Sequence, residues 1–415
     1  MTQIIKGHII YTESPESLTI VENGYLIFEK DQIVGVTDQL PEIYQSLDVE
    51  DLGDVLIVPG FYDLHTHGGQ YPQCGIGMSH HLLDWLKDYT YELERKFEEP
   101  AFAKRVYAFF AEALISYGTL GAAVFGTSSF MGTQILFDTF IDKGLRGYIG
   151  KVCMTRNAPD FIIKDMATNI EDMHRLVERY KDQERVKLIV TPRFAPTSTH
   201  ESLEALGQLS KEHDLPVQSH LDETVDEIKW VHSLYGSESY ASLYDQHGLY
   251  GQRPTLMAHG IYLDEEEMTL TQKRGVMLVH CPDSNLNIAS GIMPVRKYMN
   301  QGILVGLGTD IAGGHRISMA EATVRCVQLS KQLSVEKPEY QPLLFSEAYH
   351  MATAVGGSFF GRVGKLKAGF KMDCLVIDDL PLYKELYSVA DRLEKFVYTG
   401  DDRWIIRRYI DGQRL

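Results

Sequence analysis

Apolar and polar positions follow two different rhythms along this chain. Near the start the runs are short and rich in β-branched residues: 4–12, 18–21, 25–28 and 31–36. The far end is written in the same style, with 373–377 and then 404–410, which closes on Asp411-Gly412. Neither end is long enough to form a stable sandwich alone. The two are therefore expected to combine into one small β-sandwich domain made of residues 1–58 plus 366–415.

Between the ends, short apolar strands alternate with amphipathic helices. Strands are expected over 60–65, 120–125, 147–154, 187–193, 216–220, 255–259, 276–280 and 303–309, with helices such as 201–213 and 223–234 between them. Eight strands with crossover helices predict an α/β fold, a (β/α)8 TIM barrel over residues 59–365. A doubly wound open sheet would carry a glycine-rich phosphate turn after its first strand, and none is present.

Composition narrows the partners. With 40 Lys+Arg against 57 Asp+Glu, the formal charge is −17, and there is no basic run, so neither nucleic acid nor an anionic membrane is the expected partner. The start of the chain has neither the long apolar core nor the small-residue cleavage site of a secretion signal. The nearest approach to a membrane span, 106–117, is short and carries Glu112. The five cysteines are scattered without a Cys-x-x-Cys pair, which fits reduced thiols and a cytoplasmic location.

Polar residues gather where a barrel places its chemistry, at the carboxyl ends of strands. Strand one ends in Asp63-Leu64-His65-Thr66-His67, strand five in Gln218-Ser219-His220, strand six in Met257-Ala258-His259, and strand eight in Leu307-Gly308-Thr309-Asp310. Positions two apart on a strand share a face, so His65 and His67 can converge on one ion. His220 and Asp310 would complete a mixed nitrogen and oxygen site suited to Zn²⁺ or Fe²⁺. A divalent ion there would make water a nucleophile near neutral pH. A single histidine is weak evidence, but four strand ends carrying His-x-His, His, His and Asp together are not. His80, His81, His174, His200, His213, His232, His247 and His350 lack such placement and read as structural.

These residues resemble the amidohydrolase superfamily. Pro59-Gly60-Phe61-Tyr62-Asp63-Leu64-His65-Thr66-His67 is similar to its opening signature and Leu307-Gly308-Thr309-Asp310 to its closing one. Ser219-His220-Leu221-Asp222-Glu223 resembles the His-x-x-Glu of its mononuclear deaminases. Strand four ends in Arg193 rather than a lysine able to bridge two metals. Further runs, among them His67-Gly68-Gly69-Gln70-Tyr71, Arg193-Phe194 and His280-Cys281-Pro282-Asp283-Ser284-Asn285, resemble the guanine deaminase branch. The resemblance implies one Zn²⁺ per subunit on His65, His67, His220 and Asp310, and a homodimer. It also implies proton transfer by Glu223, and Gln70, Arg193 and Phe194 against the purine. Asp283 stands where that pattern has Asn, and His280 reads as a packing residue rather than a ligand.

Chemistry supports the same roles. Glu223, three residues past His220, can protonate ring N3 of a purine while water attacks C2, and then pass a proton to the departing ammonia. Asp310 can accept the proton of the water and His259 can orient it. Arg193 suits an oxo acceptor and would leave a buried donor unpaired against an adenine amino group, at about 1–3 kcal/mol. Gln70 offers a donor and an acceptor to the N1–H/O6 edge of guanine. Phe194 can line the ring face. The competing readings are a deaminase of another amino-heterocycle, such as 8-oxoguanine or a pterin, and a non-catalytic scaffold on the same fold. A scaffold has no need of the full set of residues.

Overall fold

The computed structural model describes residues 2–236 and 239–415. The two chain ends build one seven-stranded sheet. Its strands, in sheet order, are Gln413–Arg414, Ile405–Ile410, Cys374–Ile377, Glu50–Pro59, Thr2–Ser14, Ser17–Glu29 and Gln32–Thr37. Glu50–Pro59 joins the two ends, parallel to Thr2–Ser14 and antiparallel to Cys374–Ile377. Successive side chains point to opposite faces. Val55, Ile57, Cys374 and Val376 thus enter a small core with Leu26 and Tyr409, whereas Leu56, Val58, Leu375 and Ile377 join the large core of the molecule. Burial on both faces erases the alternation, which is why the sequence pattern passes over this strand.

Two expectations for the ends need correction. The runs at 18–21 and 25–28 are one strand, Ser17–Glu29, carried through Asn23 at φ +50°. Residues 381–399, expected within the β region, form the helices Pro381–Leu386 and Val389–Thr399. Ser388 caps the longer helix by accepting from Asp391 N, and Val389, Leu393, Phe396 and Val397 make its buried stripe. The hairpin at Asp411-Gly412 has φ +50° and +74°, the pair of left-handed residues that a two-residue turn of matching twist requires.

The middle of the chain holds two four-stranded parallel sheets. One contains Phe61–His67, Thr119–Phe125, Arg146–Gly150 and Val186–Leu188; the other contains Val217–Leu221, Thr255–His259, Met277–His280 and Val305–Leu307. Helices such as Phe130–Asp142, Met166–Tyr180 and His200–His213 make the crossovers that parallel strands require. Backbone hydrogen bonds cross both seams between the sheets. Val190 N donates to Pro216 O and Gln218 N to Val190 O at one seam; Asp310 N donates to His65 O and His67 N to Ile311 O at the other. The parallel sheets are consistent with a barrel-like domain. Leu64, Ala123, Leu256, Ala258 and Val279 pack together between them.

Two of the expected strands are interrupted. The one expected over 147–154 breaks at Lys151, whose ammonium turns to Asn169 Oδ1 at 2.7 Å. The one expected over 187–193 breaks where its pairing changes from Arg146–Gly150 to Val217. The 106–117 stretch lies in the helix Pro100–Ser116, and among the described residues no helix is long and apolar enough to cross a membrane.

Candidate active site

The first parallel strand carries a bulge: Asp63 faces Ala122 and Thr66 faces Val124, one residue more on this strand than on its partner. Such a bulge re-aims the side chains beyond it. Below it, Asp63 accepts from His65 N at 3.2 Å, from Thr309 N at 3.0 Å and from the Thr309 hydroxyl. Burial pushes its carboxyl up to about 7, against those hydrogen bonds. Asp63 thereby ties the first strand to the turn after the last, setting Asp310 beside the histidines. Nothing in the sequence around Asp63 signals this role.

His65 Nε2 and His67 Nε2 each lie 3.2 Å from Asp310 Oδ1. Ligand atoms of His65, His67, His220 and Asp310 all fall within 4.8 Å of one another. His220 Nδ1 stands 2.6 Å from Arg193 O. A carbonyl can only accept, so Nδ1 carries the proton and Nε2 keeps a free lone pair. Burial holds His65 down to about 4 and lowers His67 and His220 as well, so the rings are neutral. Burial disfavours the Asp310 carboxylate, but His65 and His67 outweigh it and keep the group well below its usual range. Despite its closeness to Asp310, His65 Nε2 has no aligned hydrogen-bond partner. Three imidazoles and a carboxylate whose ligand atoms lie this close together fit a divalent cation.

A second grouping, His65, His259, Cys281 and Asp310, is also compact. The two members it adds have other partners: the Cys281 thiol donates to Val279 O at 3.6 Å, and His259 Nδ1 is 2.9 Å from Asn285 Oδ1. His259 Nε2 instead faces two carboxylates, Glu223 Oε2 at 3.5 Å and Asp310 Oδ2 at 3.7 Å. Asp222, His259 and Asp310 all have positive φ, at +45°, +72° and +46°. Non-glycine residues held this way concentrate at functional sites.

Glu223 does not lie in the helix expected over 223–234. That helix is Val225–Tyr235, capped by Thr224, and the acid precedes the cap on the loop leaving His220. It is 2% exposed, and Ser290 Oγ donates to its Oε1 at 3.1 Å. Burial, and then the charge of Asp310, pushes its carboxyl up to about 8. A solvated acid at a helix start would not behave so.

Over these residues lies a small cavity, lined in part by His67, Gln70, Arg193, Phe194, Glu223 and Asp310. Leu82, Trp85, Leu86 and Ile288 add apolar walls. All the residues expected at the site are therefore brought together: those six and His220 line the cavity, His65 lies beside them, and His259 Nε2 is 3.5 Å from Glu223 Oε2. Phe194 meets the edge of Trp230 at 6.0 Å between ring centres. Arg193 is clamped by Glu94, with Nη1 at 2.9 and 2.8 Å from its two oxygens, and stacks over Tyr91 at 5.4 Å. Glu94 was missed, because Tyr91-Glu92-Leu93-Glu94-Arg95 reads as a solvated helical face. Asp283 pairs with Arg325 Nε at 3.0 Å and is not a wall of the cavity. His280 is buried, and its carbonyl accepts from Gly308 N.

Comparison with known proteins agrees with this geometry. The model of the Amidohydrolase family matches residues 56–415. Guanine deaminase of Dictyostelium discoideum is 36% identical over 445 aligned positions, covering 100% of this chain and 98% of its own. Guanine deaminase of Escherichia coli (strain K12) is 32% identical, with 97% and 93% covered. The crystal structure of guanine deaminase from C. acetobutylicum, with guanine bound in its active site, superposes over 100% of both chains with a TM-score of 0.99 at 42% identity. The chain belongs to the amidohydrolase family, enzymes that hydrolyse carbon–nitrogen bonds. Within that family its relatives group it with the guanine deaminases.

Proposed function

We propose that this enzyme hydrolyses guanine to xanthine and ammonia, with one Zn²⁺ per subunit held by His65, His67, His220 and Asp310. The observation that carries the reading is the joining of two sets of side chains in one cavity. A metal-type donor set forms its floor, and a buried acid, an amide and a guanidinium surround it. The similarity to guanine deaminases over the whole chain supports the substrate. The same reading takes the two parallel sheets as a closed (β/α)8 barrel over 59–365. It takes the seven-stranded sheet, with its own small core, as a β-sandwich of 1–58 plus 366–415. It extends to a cytoplasmic homodimer acting on a free base, not on nucleic acid or a membrane; the five free cysteines support that compartment.

The bound zinc would supply Lewis acidity to a water molecule. The chain does the rest. Glu223, protonated because burial raises its pKa, gives its proton to ring N3 as water attacks C2. Asp310 takes the proton released by the water, and His259, between the two carboxylates, orients it. The new C2–O bond forms a tetrahedral carbon. The C2–N bond then breaks as Glu223 carries the hydroxyl proton to the amino group, which leaves as ammonia. The proton held by Asp310 then returns to Glu223. Of the two protons of the water, one ends on N3 and one in ammonia. Arg193 and Gln70 hold the O6/N1–H edge, and Phe194 and Trp85 confine the ring.

A substrate panel on the purified holoenzyme, with metal analysis alongside, tests this. Guanine should be the preferred substrate, with about one zinc per chain. Turnover of 8-oxoguanine or a pterin in its place would replace the substrate and keep the reaction. No turnover and no metal would leave a scaffold.

A further inference from the structure

The carboxylate of Glu94 is a buried charge that the reaction above leaves without a task. It stands on the short helix Tyr91–Arg95, in the segment that also brings Leu82, Trp85 and Leu86 over the cavity, and it is 3% exposed. Its Oε1 and Oε2 accept from Arg193 Nη1 at 2.9 and 2.8 Å, and Oε1 also accepts from Gln70 Nε2 at 3.1 Å. Gln70 Oε1 accepts from Ala312 N at 3.3 Å, so the amide has one orientation only. A single carboxylate thus fixes both side chains that face the oxo/N–H edge of the base. Their remaining N–H groups and lone pairs stay free for the ligand.

Glu94 also decides the charge of the wall. The other ionisable groups facing Arg193 are Tyr91, whose ring lies 5.4 Å away, His67 and Asp310. His67 and Asp310 face each other, with Nε2 of both His65 and His67 at 3.2 Å from Asp310 Oδ1. That leaves Glu94 as the counter-ion of Arg193. A guanidinium already paired gains little from a second anion, whereas an uncompensated buried one binds any anion that enters.

Resting on the pairing of Arg193 and Gln70 with the base, we propose that Glu94 is a positioning and specificity-determining residue. It orients the two edge-reading side chains and neutralises Arg193, so that the cavity favours a neutral oxopurine over an anionic one. The distinction matters for turnover. Exchanging the C2 amino group for a carbonyl makes xanthine a stronger acid than guanine, because the added carbonyl spreads the charge of the anion. A neutralised Arg193 lets that anion leave.

The test compares the holoenzyme with Glu94→Gln and Glu94→Asp. The readouts are kcat and KM for guanine, metal content, and calorimetric affinities for xanthine and hypoxanthine at mildly alkaline pH. Glu94→Gln should raise KM by about tenfold or more while kcat changes only a few-fold, the signature of lost ground-state binding. Its metal content should match the wild type. Its affinity for xanthine relative to hypoxanthine should rise by about fivefold or more, as expected once the charge of Arg193 is uncovered. Glu94→Asp keeps the charge and should leave that ratio near the wild-type value. A Glu94→Gln protein with wild-type KM and an unchanged ratio would overturn the proposal, as would a changed ratio in Glu94→Asp. Should Glu94→Gln fail to fold, the Glu94→Asp ratio decides. A wild type that ignores guanine would remove the substrate reading alone, because the two affinities are measured without turnover.

Discussion

Replacing Glu223 by Gln should make the protein more stable and nearly inactive. The carboxyl is 2% exposed and its pKa sits at about 8, against 4.5 for the free group. At pH 7 the folded protein therefore keeps a proton that the unfolded chain has released. That difference costs roughly 3 kcal/mol at pH 7 and levels near 5 kcal/mol above pH 8. The sign follows from a raised folded-state pKa: the contribution to stability is fully present below 4.5 and is lost as pH rises through about 8. An amide of the same shape has no proton to retain, and Ser290 Oγ, at 3.1 Å, can turn to accept from it. Allowing about 1 kcal/mol for imperfect pairing of the amide, Glu223→Gln should gain roughly 2 kcal/mol at pH 7. The gain should grow toward pH 8, vanish near pH 5 and turn into a loss of about 1 kcal/mol near pH 4. Urea unfolding of metal-stripped proteins across that range is the assay, since a nearby divalent cation would itself lower the pKa. Activity should move the other way: loss of the proton carrier should cost about 10²–10⁴ in kcat with metal content unchanged. Equal stability at every pH would refute the buried, protonated state. Turnover within a few-fold of wild type would remove Glu223 from proton transfer.

Three further outcomes are expected. Chelation should lower the melting temperature, and Zn²⁺ should restore it, because an ion bound only by the folded donor set stabilises by mass action, about 4 kcal/mol at a thousandfold excess over its Kd. His67→Ala should abolish that response in a metal titration followed by calorimetry, and a response identical to wild type would exclude His67 as a ligand. Arg146→Met should destabilise by about 3–5 kcal/mol in urea, since it strands Asp373. That carboxylate is fully buried and loses bonds of 2.6 and 3.0 Å, keeping only Tyr62 OH and Asp411 N. Pairing the change with Asp373→Leu should recover much of the loss, and an undisturbed single variant would show the pair to be dispensable.

Parts of this architecture can be read from local pattern because their causes are local. Short apolar runs spaced by amphipathic helices mark parallel strands and crossovers, and polar residues at their ends mark a mouth. His65, His67, His220, Glu223, His259 and Asp310 all stand out in this way, each at or just past a strand end. The helix at 389–399 had equally local signals, with Ser388 as cap and a four-residue apolar stripe, yet the β character of its flanks concealed it.

What the sequence determined by itself was the kind of chemistry: which residue types end which strands, and hence that nitrogen and oxygen donors would meet. Tertiary structure alone decided how they meet. The extra residue in the first strand re-aims its histidines, and Asp63 reaches across to Thr309, 246 positions away, to bring Asp310 to them. Glu223 acquires its proton at neutral pH from burial and the charge of Asp310, against the hydrogen bond from Ser290, and not from its neighbours in the chain. Glu94 shows the difference most sharply. In the chain it is one acid on a charged helical turn, and only the fold, by removing water and placing Arg193 against it from 99 residues away, turns it into a buried counter-ion. Burial and pairing are properties of the assembled core, so no local pattern can encode them.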